Sequence, residues 1–266
     1  GLESASMSSA SETCTDASYE PSPRRYRWDV TALPNRRAGG PHTREVGRVT
    51  GTIRSMTSQA TVLLATTNPH KLDEVRAILA PEGVKVIGLD ALGRDIPEPA
   101  EDGATFAENA RLKAVAYAHA AGLPCLADDS GLEVDALGGA PGVHSARYAG
   151  VGSTRPERDA ANNARLLEAL RGVEPARRSA RFVCAMCLAD AAGDVLAETR
   201  GTFEGTIAEA PRGSNGFGYD PLLVVSGMDR TSAELSPEEK NARSHRGAAV
   251  RAMLPAIRRL AERGRP

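Results

Sequence analysis

The chain has 266 residues, of which 41% are hydrophobic and 25% charged, and its formal net charge is −1. This balance is typical of a globular protein with one sizeable core, and it provides no overall field that would attract nucleic acid or an anionic membrane. No apolar run approaches the roughly 20 residues of a membrane helix. We therefore expect neither a nucleic-acid polymer nor a membrane as a partner.

Residues 1–58 differ in composition from the remainder. They are rich in Ser, Thr, Pro, Gly and Arg and show no sustained helical or strand period. We expect a disordered N-terminal extension over 1–58 and one folded domain over 59–266.

The folded part begins with a strand, a helix and a second strand. Apolar, partly β-branched residues predict strands at Thr61–Thr66 and Val84–Leu89, and helical spacing predicts a helix over Lys71–Leu79. The turn from Thr66 to Lys71 offers hydroxyl, amide and ammonium donors at a helix N-terminus, which suits phosphate. A plain capped turn is an equally good interpretation.

A long helix is predicted next, after the acidic loop that contains Glu101. Thr105 and Glu108 form a capping-box pattern, and the helix is expected over 106–121. Asn109 and Lys113 lie four residues apart on one face of this helix. We expect them on the solvated surface.

An acidic stretch follows the predicted strand Leu123–Ala127. It contains Asp128, Asp129 and Asp135 among small residues and glycines. Crowded carboxylates repel one another unless a cation or proton offsets them, so the stretch favours a metal or catalytic site over a solvated turn. Arg147 would brace these carboxylates or contact a substrate.

The second half predicts a different arrangement. A helix from Ser153 or Thr154 to Leu170 precedes two long strands, Ala180–Ala189 and Val195–Ile207. Cys184 and Cys187 have the spacing of a metal pair, but residues three apart on a strand point to opposite faces. We expect buried, reduced thiols in a cytoplasmic protein, and a second lobe that leaves a cleft for the active site.

Two further segments carry polar chemistry. In the glycine-rich loop 211–221, Phe217 and Tyr219 would stack on a nucleobase or belong to the core. After the capping box that begins at Ser236, the donors are Lys240, His245 and Arg246, which would face solvent or a ligand. With the acidic stretch and the Thr66–Lys71 turn, these groups suit a nucleoside triphosphate with Mg²⁺.

The motifs together resemble those of the inosine-triphosphate pyrophosphatase family, the XTP/dITP diphosphatases. The matching segments, in chain order, are 66–71, 105–114, 127–148, 211–221 and 231–247. The resemblance implies an α/β fold with two lobes around a long mixed β-sheet flanked by helices, with the active-site cleft between the lobes. It also implies a homodimer and Mg²⁺-dependent hydrolysis of ITP, dITP and XTP to the monophosphate and pyrophosphate, which cleanses the nucleotide pool.

The resemblance further implies roles for individual residues. Asp129 would be the general base and, with Glu101, a metal ligand. The implied substrate-binding residues are Thr66, Thr67, Asn68, Pro69, His70, Lys71, Ser130, Phe217, Gly218, Tyr219, Asp220, Lys240, His245 and Arg246. Two alternatives are a Maf-like pyrophosphatase for modified pyrimidine nucleotides and a nucleotide-binding protein without catalysis.

Overall fold

The computed structural model describes residues 60–263. The predicted N-terminal extension over 1–58 lies outside the described residues. Within the described part, no helix is long and apolar enough to cross a membrane.

A six-stranded mixed sheet forms the centre of the described chain. Its strands are β1 (Thr61–Leu64), β2 (Lys85–Ile87), β3 (Cys125–Val134), β4 (Ser179–Ala189), β5 (Val195–Ile207) and β6 (Leu223–Val225). The order across the sheet is β2-β1-β3-β4-β5-β6. β1 pairs in parallel with β2 and β3, and the other neighbours are antiparallel.

Within residues 60–263, five α-helices flank the sheet: α1 (Pro69–Leu79), α2 (Phe106–Ala121), α3 (Arg155–Ala169), α4 (Pro237–Arg243) and α5 (His245–Arg263). The predicted capping boxes at Thr105 and Ser236 are present, and a third, at Thr154, begins α3. Each box satisfies free N–H groups of the first helical turn, which fixes where the helix starts.

Three buried clusters divide this fold into two lobes, as predicted. In the first lobe, α1 and α5 pack on one face of the sheet and α2 packs on the other. In the second lobe, α3 covers the far ends of β3, β4 and β5 together with β6. Cys184 belongs to the cluster on one face and Cys187 to the cluster on the other, so these buried free thiols cannot share a metal, as expected.

β3 is longer than the sequence indicates. The predicted strand ends at Ala127, but the structure continues it to Val134, so the acidic stretch lies inside the strand and not at its exit. β4 pairs with β3 residue by residue over 125–134, and this pairing outweighs the low strand propensity of the Asp and Gly residues. Gly131 is needed for space, because a Cβ there would lie 2.3 Å from Ser145 Oγ.

The domain limits remain a prediction that truncation can test. All members of the three clusters lie within residues 62–260. We therefore expect a protein lacking residues 1–55 to retain a melting temperature within about 3 °C of the full chain. Differential scanning fluorimetry of both proteins provides the measurement. A much lower melting temperature would place part of the removed segment in the fold.

Candidate active site

Two adjacent aspartates of β3 point to opposite faces of the sheet. Side chains alternate along a strand, so Asp128 faces α1 and α5, while Asp129 faces α2. Both border the cleft between the lobes. The two carboxylates therefore have different surroundings, although they are neighbours in sequence.

Asp128 is an ion-pair centre inside the protein. Its Oδ2 lies 3.0 Å from Lys71 Nζ and accepts hydrogen bonds from Nε and Nη2 of Arg246, each at 3.2 Å. Burial would raise the pKa of this carboxyl, but the charges of Lys71 and Arg246 outweigh burial and hold its pKa far below the usual range. Asp128 is therefore ionised and fixed in place, which gives it a structural role.

Asp129 lies in a different cluster. Its carboxylate accepts a hydrogen bond from Asn109 Nδ2 at 3.1 Å and lies 3.3 Å from Lys113 Nζ. Lys113 Nζ also lies 3.2 Å from Glu101 Oε1, so one ammonium joins the two predicted metal-binding carboxylates. Burial raises the pKa of Asp129 despite the opposing charges of Lys113 and Lys71, which makes it a better proton acceptor than an exposed aspartate.

The prediction that Asn109 and Lys113 lie on the solvated surface is wrong. Their exposed fractions are 2% and 7%. α2 packs closely on β3 through small residues such as Ala110 and Ala114, and the neighbouring polar side chains are drawn onto the strand with them. Burial lowers the pKa of Lys113, but the carboxylates of Asp129, Asp128 and Glu101 outweigh burial and raise it, so the ammonium stays charged.

The turn before α1 is both a capped turn and a wall of the cleft. Asn68 caps the helix, since its Oδ1 accepts from the His70 backbone N–H at 3.1 Å. Thr66, Thr67, Asn68 and Lys71 line the cleft. Pro69 is the first helical residue and is outside the cleft lining, as is His70.

The glycine-rich loop 211–221, called the aromatic loop from here on, also lines the cleft, through residues 217–220. The half-buried Phe217 ring stacks on His70, with ring centroids 5.4 Å apart and planes 13° from parallel. Lys240 Nζ lies 4.9 Å from the Phe217 centroid. Phe217 is thus a flat aromatic ring beside a cation. Nucleobases typically stack on rings of this kind.

Tyr219 and Asp220 serve the loop itself. The Tyr219 ring packs in the core of the second lobe, and its hydroxyl donates to the Ser145 carbonyl at 2.9 Å. Asp220 accepts from Lys240 Nζ at 2.7 Å, Ser232 Oγ at 2.7 Å and the Phe217 backbone N–H at 2.8 Å. Both residues border the cleft, but these bonds commit their polar groups to holding the loop.

The donors of the C-terminal segment are buried rather than solvated. Lys240 bridges Asp220 and Glu74, the latter at 3.1 Å, and Arg246 pairs with Glu74 as well as with Asp128. Arg246 Nη2 also donates to Ser130 Oγ at 2.9 Å. One network thus connects β3, α1, the aromatic loop and the start of α5.

His245 is a neutral donor or acceptor at this position. It stacks on Phe182, with centroids 5.0 Å apart. Burial, aided by the charges of Arg246 and Lys240, lowers its pKa well below the usual value. Its buried Nδ1 has no hydrogen-bond partner among the described residues.

Sequence reasoning missed several residues of the site. Glu74 lies three positions after Lys71 on α1, a spacing that could have indicated it. α3 contributes Arg155, Arg158 and Asp159 to the cleft lining, but the polar face of an amphipathic helix does not reveal what it meets. Arg147 is exposed and forms no ion pair within residues 60–262, so its suggested bracing role is not observed.

No group of three or more His, Cys, Asp and Glu side chains in the described chain is arranged to hold a metal. Asp129 and Glu101 are nevertheless a matched pair of hard oxygen donors around one cation, Lys113 Nζ. Mg²⁺ typically takes one or two carboxylates and completes its octahedron with water and substrate oxygens. The two residues therefore fit that ion.

The chain is similar to known proteins of one family. A model of the Ham1 family matches residues 62–256. A dITP/XTP pyrophosphatase from Exiguobacterium sp. is 53% identical over 191 residues, covering 71% of this chain and 93% of that protein. Another, from Nocardia farcinica, is 51% identical over 212 residues, covering 77% and 98%.

Solved structures give the same result for the fold. A HAM1 protein from Coxiella burnetii has a TM-score of 0.66 and 43% identity, covering 76% of this chain and 99% of its own. A nucleoside-triphosphatase (dITP/XTP pyrophosphatase) from Mycobacterium abscessus has a TM-score of 0.59 and 46% identity, covering 73% and 99%.

The ion network around Glu74 predicts a specific stability change. Burial raises the pKa of Glu74, but Arg246 and Lys240 outweigh burial and lower it. The ionised carboxylate thus stabilises the fold above its ordinary pKa of 4.5, and this contribution is lost as the pH falls through its lower folded value. We expect Glu74→Gln to lower the free energy of unfolding by about 1–3 kcal/mol at pH 7 and by less at pH 3.

Urea denaturation at both pH values provides the measurement. Glu82→Gln is the matched control, because Glu82 pairs with the exposed Arg258. This substitution should lower the free energy of unfolding by less than about 1 kcal/mol. Equal losses for the two variants would contradict a special role for the buried network.

Proposed function

Because the chain belongs to the Ham1 family, we propose that it hydrolyses the non-standard purine nucleoside triphosphates dITP, XTP and ITP to the monophosphate and pyrophosphate. The names of its relatives support this activity. The observation that carries the proposal is the position of Asp129, held by Lys113 and Asn109, in a cleft that the aromatic loop also lines.

In the proposed reaction, the two ends of the cleft have different roles. At the acidic end, the oxygen of a water molecule attacks the α-phosphorus and its proton passes to Asp129. The bond from the α-phosphorus to the bridging oxygen breaks, and pyrophosphate leaves with the electron pair. The Thr66–Lys71 turn and Ser130 hold the phosphates through backbone N–H, hydroxyl and ammonium donors.

The other end holds the base. Phe217 offers an aromatic ring for stacking, with Lys240 and Arg246 over it. His245 lines the same cleft, and all three side chains are potential donors. A 6-oxo group accepts hydrogen bonds from such donors, whereas the 6-amino group of adenine would leave them unpaired. A mismatch of this kind discriminates strongly, and it supports the preference for hypoxanthine and xanthine.

We propose Mg²⁺ as the cofactor, with Asp129 and Glu101 as its protein ligands. Both carboxylates contact the Lys113 ammonium, which supports a position for positive charge between them. Bound there, the metal would supply positive charge to the triphosphate oxygens.

The family resemblance also supports a homodimer located in the cytoplasm, and light scattering of the purified protein tests the dimer.

A substrate panel tests the activity. We expect the protein with Mg²⁺ to release pyrophosphate from dITP, XTP and ITP at least about a hundredfold faster than from ATP or dTTP, measured as kcat/KM. Preferential hydrolysis of dTTP would favour the Maf-like alternative. Absence of hydrolysis with every nucleotide would favour a binding protein without catalysis.

Asp129→Asn tests the proposed base. The amide keeps a carbonyl oxygen that can accept from Asn109, but it cannot take a proton, so we expect kcat for dITP to fall by about 10²–10⁴ with little change in melting temperature. Asp135→Asn is the control, since Asp135 pairs with Arg181 away from the cleft lining. Near-normal turnover by Asp129→Asn would remove Asp129 from the proton transfer.

Metal removal gives a separate test. EDTA is expected to abolish hydrolysis and excess Mg²⁺ to restore it, and Glu101→Gln should raise the Mg²⁺ concentration for half-maximal rate by about tenfold or more. Glu98→Gln is the matched control, because Glu98 lines the cleft without pairing with Lys113. An unchanged Mg²⁺ requirement in the Glu101 variant would exclude Glu101 as a ligand.

A further inference from the structure

α3 holds one residue of the aromatic loop by both of its backbone polar groups. Asp159 Oδ2 accepts a hydrogen bond from the Gly218 N–H at 3.0 Å. Asn163 Nδ2 donates to the Gly218 carbonyl, also at 3.0 Å. The two side chains are four residues apart on the helix and so project from one face.

The loop needs such restraint. Gly216 and Gly218 flank Phe217 with φ angles of +79° and +62°, in the left-handed region that glycine adopts readily. A Cβ at Gly218 would meet nothing within 4 Å, so that glycine supplies backbone freedom and not space. Asp220 holds the Phe217 N–H from within the loop, and contacts from outside the loop add to this restraint on the direction of the ring.

α3 is itself anchored to the acidic strand. Asn162 Nδ2 donates to the carbonyls of Ser145 and Ala146, at 3.2 and 3.3 Å. Ser145 Oγ accepts from the Leu132 N–H of β3 at 2.8 Å. Hydrogen bonds thus connect β3 to the aromatic loop through α3.

We propose that Asp159 and Asn163 are positioning residues that hold Phe217 at the correct distance from Asp129 for a purine base, an inference that rests on the proposed function. Asp159 acts as a hydrogen-bond acceptor and Asn163 as a donor. Neither role requires charge, although Asp159 is a carboxylate that lines the cleft proposed to bind a triphosphate.

Substitutions at the two positions distinguish a hydrogen-bonding role of Asp159 from an electrostatic one. Asp159→Asn keeps an acceptor for the Gly218 N–H, whereas Asp159→Ala removes it. Asn163→Asp replaces the donor with an acceptor that faces the Gly218 carbonyl, so the pair would repel. If the charge of Asp159 mattered instead, Asp159→Asn and Asp159→Ala would behave alike.

The experiment measures kcat and KM for dITP with Mg²⁺, and the binding of inorganic tripolyphosphate, which has no base. We expect Asp159→Ala and Asn163→Asp to raise KM about tenfold while kcat changes less than about twofold. Asp159→Asn should stay within about threefold of the wild type, and all variants should bind tripolyphosphate like the wild type. Arg165→Gln is the control, because Arg165 lies on α3 over Tyr148 and is outside the cleft lining.

Hydrogen exchange of the peptide covering 214–220 tests the clamp without any activity. Exchange should accelerate in Asp159→Ala and Asn163→Asp but not in Asp159→Asn or Arg165→Gln. The proposal would be overturned if Asp159→Asn and Asp159→Ala had equal effects, or if the variants also lost tripolyphosphate binding. Unchanged exchange in Asn163→Asp would overturn it as well. Failure of the wild type to hydrolyse dITP would instead overturn the proposed function.

Discussion

The buried contact between Asp128 and Arg246 is the interaction on which the cleft depends. It joins the middle of β3 to the start of α5, and through Lys71 and Glu74 it includes α1. A buried ion pair is costly to desolvate, and removal of either partner leaves an uncompensated charge inside the protein. Here several opposite charges share the network, so each ion is compensated and its side chain has little freedom to move.

This network lets the neighbouring carboxylate take a different role. Because β3 alternates its side chains, Asp128 is held by cations on one face while Asp129 is directed to α2 on the other. Paired cations lower the pKa of Asp128, and burial raises that of Asp129. Environments that separate the pKa values of adjacent acids are typical of active sites, where one acid is structural and the other exchanges protons.

The two ends of the cleft belong to different lobes but are connected by direct bonds. β3 passes from one lobe to the other, and the segment around Ser145 links it to α3 and to Tyr219. α3 in turn holds Gly218. Hydrogen bonds as well as the packing of the lobes therefore connect the acidic stretch of β3 to the aromatic loop. Such a connection would suit the proposed binding of a base and a phosphate at once.

The sequence alone determined most helices and strands, because apolar period and capping boxes are local properties. It could not place Asn109, Lys113 or Glu74 in the site, because each is an ordinary polar helical residue whose burial depends on which face packs against β3. Nor could it extend β3 through Asp128 and Asp129, since Asp and Gly disfavour strands until a long partner supplies the hydrogen bonds. Tertiary packing decided these features, because it alone sets which charges are removed from water together and therefore which side chains must pair.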